Sequence, residues 1–347
     1  MVVSVDDRRP ILQLDDDTIG HIAAGEVVER PAQVVKELVE NSIDAGSSRI
    51  RIEIERGGFE RIAVIDDGSG IPSEELELAV TRHATSKLST ATDLSAIHTL
   101  GFRGEALASI GMVSQLKVSS RVANSDGISI SVHDGAKHPL EPTGIAPGTV
   151  IEVIHLFANI PARLSFQKRP ATESSAIVDI VVAQALCNPT IGFTVSIDGR
   201  IVLDTPPGVE ATDRLFDLIG ASAERLVALQ CSEDDANAPG DEEWSGWISP
   251  PELNRSKGDE IHVIINGRPV ANSPFTQAIR RGYHTRLMVG RHPICVLKLD
   301  LPADEVDVNV HPTKREVRLK NSWRVLERLE RAIKHTLLEL PTGSMTP

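Results

Sequence analysis

Apolar residues recur along the chain at two spacings, and these divide it into helices and strands. In Pro31–Gly46 (PAQVVKELVENSIDAG), Val34, Val35, Leu38, Val39 and Ile43 fall three and four apart, one buried face of a helix. Pro31 suits the first turn, where its missing N–H costs nothing, and Gly46 suits the left-handed position just past the end. Upstream, Asp15–Val27 predicts a short helix with Asp17 or Thr18 as its N-cap. Downstream the period changes to two. Arg49–Gly58 alternates apolar and polar, Gly57-Gly58 makes a hairpin turn, and Arg61–Ile71 returns. Ser73 reads as the cap of a helix with Glu74 and Glu75 in its first turn. Strands are predicted at Leu116–Val122, Gly127–Gly135 and Gly148–Phe157, a buried helix at Thr172–Cys187 stopping before Pro189, and a hairpin at Gly192–Thr205.

Pro206-Pro207-Gly208 is the best domain boundary, dividing residues 1–206 from 207–341 and leaving 342–347 as the start of a linker or tail. Beyond it come a helix at Thr212–Ile219, an acidic loop Ser232–Glu243, and strands at Trp244–Ile248 and Glu260–Ile265. A helix Ser273–Tyr283, two strands within Pro293–Val310 and a last helix Trp323–Leu340 complete an α+β chain. Its 347 residues suffice for two substantial cores.

Charge narrows the function classes. The formal net charge of −13 argues against nucleic-acid binding over the whole surface and leaves only a local basic patch. Cys187, Cys231 and Cys295 lie too far apart for a disulfide framework or a zinc site, and suit a reducing compartment. No signal peptide is read at the start and no apolar run is long enough to span a bilayer, so a cytoplasmic location away from membranes is expected.

Three stretches carry candidate chemistry. Glu37, Asn41 and Asp44 stack along one edge of the Pro31–Gly46 helix. A carboxylate and a carboxamide there hold a water and a hard cation, or form only a solvated polar face. Asp66-Asp67-Gly68-Ser69-Gly70 follows a strand. Its glycines admit close approach of a planar or charged ligand and its carboxylate can accept from an exocyclic amine; the alternative is a plain acidic turn. Gly101–Gly111 (GFRGEALASIG) opens a helix near Glu105, which is either an anion site at unpaired N–H groups or an ordinary glycine-punctuated loop. It is no Walker A loop, because no Gly-Lys-Ser/Thr follows. Arg82-His83-Ala84-Thr85-Ser86-Lys87 sets small hydroxyls beside a lysine, suited to phosphate or to the basic end of a helix.

Motif after motif, and in order, the chain resembles the ATP-binding superfamily shared by gyrase B, the heat-shock chaperones, histidine kinases and the MutL mismatch-repair proteins. Within it the resemblance is to the MutL family. GHIAAGEVVERPAQVVKELVENSIDAG, RHATSK, LGFRGEALASI, Asn266–Arg268 and VDVNVHPTKREVR (Val306–Arg318) carry it, over roughly Leu14 to Leu340. Where family members often have Asp-Asn-Gly this chain has Asp66-Asp67-Gly68, with the leading Asp retained.

The resemblance implies a Bergerat-type ATP-binding α/β sandwich with a mobile lid near 73–107, followed by a ribosomal S5-like α/β transducer domain. It implies Glu37 as general base, Asn41 as Mg²⁺ ligand, Asp66 as adenine acceptor, Gly70 shaping that pocket and Thr149 supporting it through water. Thr85, Ser86 and Lys87, with Gly101, Phe102, Arg103, Gly104, Glu105, Ala106 and Leu107, would form the lid and cradle phosphates. Lys314 would reach the γ-phosphate from the second domain, and Asp44 would support the site through hydrogen bonds to the strand. Arg268 matches a position linked to DNA contact, with Arg280, Arg281 and Arg286 extending the patch.

The function so implied is slow Mg²⁺-dependent ATP hydrolysis gating dimerisation in DNA mismatch repair. The expected partners are DNA (sequence-independent, single-stranded preferred), the mismatch-recognition protein MutS, a downstream helicase or endonuclease, and a second copy of the chain. The acidic arm Met1–Asp17, with its Ile11-Leu12-Gln13-Leu14 patch, is expected to dock across the dimer when ATP is bound. Two other readings stand beside it: a DNA-binding scaffold gated by nucleotide with dispensable turnover, and another ATPase of the superfamily. The chain is expected to be the N-terminal portion of a longer protein.

Overall fold

Residues 12, 13, 15, 24, 25, 27–87, 100, 101, 104–231, 242–270, 273–307 and 317–340 are described, in a computed structural model. Helix α1 (Pro31–Asp44) has proline in its first turn and ends at Ala45, with Gly46 at φ +72°. Val34, Val35, Leu38 and Val39 are buried and Ile43 packs beside them, as the spacing predicts. Each fully buried Val or Leu contributes about 1.5–3 kcal/mol.

The helix lies on a nine-stranded sheet. Its strands are β1 (Arg49–Glu55), β2 (Arg61–Asp66), β3 (Gln115–Arg121), β4 (Ile128–His133), the two-residue β5 (Ala136–Lys137) and β6 (Glu141–Pro142), β7 (Gly148–Ile154), β8 (Gly192–Ile197) and β9 (Arg200–Thr205). The order is β5-β4-β3-β7-β2-β1-β8-β9, with β6 beside β4. The connection between β1 and β2 turns at Gly57 and Gly58, both at positive φ. Three short helices, α2 (Leu76–Ala79), α3 (Ala106–Met112) and α4 (Pro161–Ser165), and the long α5 (Pro170–Cys187) complete this lobe. α5 packs on α1 and leads into β8, which runs parallel to β1, the arrangement a helical crossover produces. The inner faces of α1, α5 and the sheet form one core through Leu38, Ile52, Val64, Ile177 and Val195.

Residues onward from α6 (Ala211–Ile219) build a second lobe. Its five-stranded sheet runs β10-β11-β16-β13-β14, where β10 is Val227–Ala228, β11 Glu243–Ile248, β13 Ile261–Ile265, β14 Arg268–Val270 and β16 Cys295–Asp300. Two ribbons flank it: β12 (Asn254–Arg255) with β15 (His292–Pro293), and β17 (Val306–Asp307) with β18 (Arg318–Leu319). Alternation sends Val263 and Ile265 to one face, against Phe275 and Ile279 of α7 (Ser273–Tyr283) and Leu329 and Ile333 of α8 (Ser322–Glu339). Ile264 and Val296 point to the other face, where they meet Leu186 of α5 and Leu215 of α6. The two lobes thus share an apolar seam.

One expectation is corrected. Ser73 caps no helix: α2 begins only at Leu76, and the Ser73 hydroxyl bonds Glu74. The helix predicted within Asp15–Val27 lies largely outside the described residues. Among the described residues no helix is long and apolar enough to cross a membrane. The three cysteines are free thiols, and burial pushes the Cys187 and Cys295 thiols well up, which makes them poor nucleophiles.

Candidate functional site

β2 ends in Asp66, and the carboxyl is 9% exposed. The Ser42 hydroxyl of α1 donates to its Oδ2 at 2.8 Å and the Gly68 amide to its Oδ1 at 3.0 Å. Burial pushes the Asp66 carboxyl above the ordinary range, against the opposing pull of Ser42 and of the Gly68 and Thr149 amides. Thr149, directly across from Asp66 on β7, is buried and shares a 3.0 Å hydrogen bond with the Ser120 hydroxyl. Gly70 sits at φ +72°, and a Cβ there would lie 2.4 Å from the Arg121 carbonyl oxygen. Asp66, Thr149 and Gly70, all selected in the sequence, therefore line one end of the site.

Asp67 has a different job. It accepts from the Ser48 and Arg49 amides at 2.8 and 2.9 Å and from the Ser48 hydroxyl, tying the start of β1. Burial opposes its charge, but these donors outweigh it and hold the carboxyl below the usual range. The departure from the family's Asn is thus absorbed by backbone donors, away from Asp66.

The other end is the edge of α1. Glu37 is partly buried, and Lys36 Nζ stands 4.0 Å from its carboxylate. Lys36 lies 2.6 Å from Glu40, both side chains nearly closed off from water. Asn41 Oδ1 accepts from Lys87 Nζ at 2.8 Å, and the same ammonium lies 2.6 Å from Asp44 Oδ2. Asp44 also accepts from the Leu100 and Gly101 amides, at 3.0 and 3.1 Å. Its contacts are thus with Lys87 and the Leu100–Gly101 segment rather than with the strand. Gly104, at φ +63°, brings the loop onto Ala84, where a Cβ would meet the carbonyl oxygen at 2.4 Å. His83 and Glu105 pair across the same contact at 3.2 Å. Lys87, Leu100 and Gly101 therefore converge on the edge of α1. Thr85 accepts from the Lys87 amide at 3.1 Å, and Ser86 is exposed. Phe102, Arg103 and Lys314 lie outside the described residues.

These residues fit a nucleotide and a hard cation. A buried carboxylate with acceptor capacity suits an amine-bearing base. An ammonium already rests on Asn41 Oδ1, so that oxygen favours positive charge. Among the described residues no group of three or more His, Cys, Asp and Glu could hold a metal, and Mg²⁺ is commonly held by few protein oxygens together with phosphates and waters.

The arginines read as a DNA patch each have partners within the chain. Arg281 Nε donates to Glu330 at 2.7 Å, Arg286 to the Leu337 carbonyl, and Arg280 lies against the His292 ring at 3.1 Å. Arg268 is directed at the first lobe, donating to the Leu100 carbonyl at 3.4 Å. Sequence reasoning grouped these four in one local patch; Arg280, Arg281 and Arg286 are exposed, whereas Arg268 is half-buried on β14, the edge strand that packs against α5. Lys36, Ser42, Glu40 and Arg268's inward contact went unread, since only the three-dimensional neighbours identify them.

Helix α1 across a mixed sheet, a buried strand-end carboxylate and a glycine loop at the helix edge define an ATP-binding domain. Residues 29–141 match the family described as Histidine kinase-, DNA gyrase B-, and HSP90-like ATPase, and residues 219–338 that described as DNA mismatch repair protein, C-terminal domain. The chain is 45% identical over 311 residues to the DNA mismatch repair protein MutL of Acidiphilium cryptum, covering 89% of this chain and 52% of that protein. It is 43% identical over 330 residues to the MutL of Shouchella clausii, covering 95% and 49%. The chain belongs to the MutL family, over the N-terminal ATPase region. It spans about half the length of these curated relatives. Among solved structures, the N-terminal domain of a DNA repair protein matches with TM-score 0.78 at 26% identity, over 93% of this chain and 100% of that one. The Aquifex aeolicus MutL ATPase domain complexed with ADP matches with TM-score 0.61 at 28% identity, over 80% and 93%.

Proposed function

We propose that this chain binds ATP with Mg²⁺ and hydrolyses it slowly, and that the nucleotide state gates dimerisation in DNA mismatch repair. One observation supports this reading above the rest. The Ser42 hydroxyl ties α1 to Asp66, so a single helix sets both ends of a nucleotide site. At one end Asp66 accepts from the exocyclic amine of adenine, with Gly70 and Thr149 shaping the pocket. At the other, Glu37 orients a water and takes its proton as the water oxygen bonds the γ-phosphorus and the bond from that phosphorus to the departing ADP breaks. Phosphoryl transfer needs positioning and charge neutralisation more than covalent help. Mg²⁺, held by Asn41, supplies neutralisation when bound. Lys87 then gives up Asn41 Oδ1 and turns to the phosphates with Thr85, Ser86 and the Gly101–Leu107 loop, while Lys314 reaches the γ-phosphate.

The wider roles belong to the longer proteins that this chain half spans. They comprise sequence-independent contact with single-stranded DNA, response to the mismatch-recognition protein MutS, and hand-over to a helicase or endonuclease. Glu37→Ala tests the core of the proposal. It should abolish turnover and leave ATP binding near the parental level, since a general base contributes about 10²–10⁴ in rate and nothing to ground-state affinity. Turnover remaining above about a tenth of the parental rate would show that Glu37 is not the base.

A further inference from the structure

Arg268 opens β14 after a tight turn in which Asn266 and Gly267 both have positive φ, at +48° and +73°. The Asn266 side chain locks that turn to Leu301, donating to its carbonyl at 2.9 Å and accepting from its amide at 2.8 Å. The turn pairs Ile265 with Arg268, the two-residue hairpin that Asn-Gly favours. The guanidinium thereby starts from a rigid base, and it points across the lobe boundary. Nη1 donates to the Leu100 carbonyl at 3.4 Å. Burial opposes its charge and outweighs the pull of the Glu40 and Asp44 carboxylates of α1, leaving the guanidinium below its ordinary range.

The Leu100 carbonyl and the Gly101 amide belong to one peptide group. Arg268 holds its oxygen and Asp44 Oδ2 holds its N–H at 3.1 Å, so the group is gripped from both ends. Asp44 in turn touches Lys87, which bonds Asn41. Hydrogen bonds in series polarise one another in a low-dielectric setting. A DNA-contacting arginine needs its charge in solvent, whereas this one faces carboxylates and a carbonyl. Arginine suits the task because its planar fork bonds an oxygen in a set direction.

Resting on the ATPase reading above, we propose that Arg268 is a positioning residue of the nucleotide site, clamping the Leu100–Gly101 peptide against Asp44 and thereby tying the second lobe to the phosphate loop. The Asn-Gly turn aims the clamp and Asp44 is its anvil.

The test uses the full chain without DNA, in Arg268→Ala and in Arg268→Gln, which keeps an amide donor. Hydrogen exchange of the Gly101 amide, measured by NMR without nucleotide, should quicken about tenfold in Arg268→Ala, the low end for a charged hydrogen bond because this one is long. The Phe193 amide, in the sheet core, should not change. In steady state, kcat should fall about tenfold while ADP affinity stays within about twofold, and Arg268→Gln should recover part of both losses. Unchanged Gly101 exchange with unchanged DNA-free kcat, and loss only of DNA binding, would overturn the proposal in favour of a DNA contact. If the parent hydrolyses no ATP, the ATPase reading fails, and the exchange measurement still decides the clamp.

Discussion

Asp66 accepts from an amine most strongly as the carboxylate, yet its burial favours the protonated form. Its folded pKa is raised, so the folded chain holds this proton better than the unfolded one. The stability it contributes is present below the unfolded value and is lost as pH rises through the raised folded value. At neutral pH the ionised carboxylate therefore works against folding. Asp66→Asn should leave stability at pH 7 equal or higher in urea melts, while lowering ATP-analogue affinity about ten- to hundredfold, the worth of a hydrogen bond to a charged group. A variant less stable than the parent, or one keeping full affinity, would reject this account. The sequence already marked Asp66, Glu37 and Asn41, because helix edge and strand end are positions that local spacing defines. It hid Lys36 and Glu40, which look like an ordinary solvent-facing pair four residues apart and are in fact buried. It also hid Lys87 on Asn41, a contact between residues 46 apart in the chain.

Elements were legible wherever the pattern was long and locally complete. The helix read at Ser273–Tyr283 matches α7 at both ends, and α1 and α8 lie within two residues of their readings. Strand neighbours beyond the two hairpins, β1 with β2 and β8 with β9, were not legible. β1 pairs in parallel with β8 and β13 with β16, and alternation says which face a residue takes but not which strand lies beside it. Glycines mark where elements approach closely. Gly70 is held at φ +72° against the Arg121 carbonyl, so Gly70→Ala meets both a disfavoured backbone and a clash. Denaturant melts should show a loss of about 1–3 kcal/mol, with weaker adenine-nucleotide binding alongside. A neutral result would mean that β3 moves aside there at little cost.

At the scale of the molecule, the seam of Leu186, Leu215, Ile264 and Val296 joins two sheets that otherwise have separate cores. Arg268 crosses the same boundary at the nucleotide edge. A γ-phosphate bound there would draw loop and second lobe into one arrangement, and a dimer can select that arrangement. The non-hydrolysable ATP analogue should convert this chain from monomer to dimer, whereas ADP should not, as sedimentation would show. A monomer under saturating analogue, or a dimer equally stable without nucleotide, would remove the gating proposal. The arm expected to complete the dimer lies mostly outside the described residues, although Leu12 within it is 74% exposed.

The largest fully buried side chain among the described residues is Arg214, on α6. One of its nitrogens donates to the carbonyls of Pro189, Ile191 and Pro206, at 2.6, 2.9 and 2.7 Å. It stitches the end of α5, the entry to β8 and the exit from β9 into one knot. The composition break at Pro206-Pro207-Gly208 is therefore a poor place to cut. A fragment ending there would lose its guanidinium rivet and leave three oxygens without that donor, so anyone seeking the first lobe alone should carry the chain through Gly220.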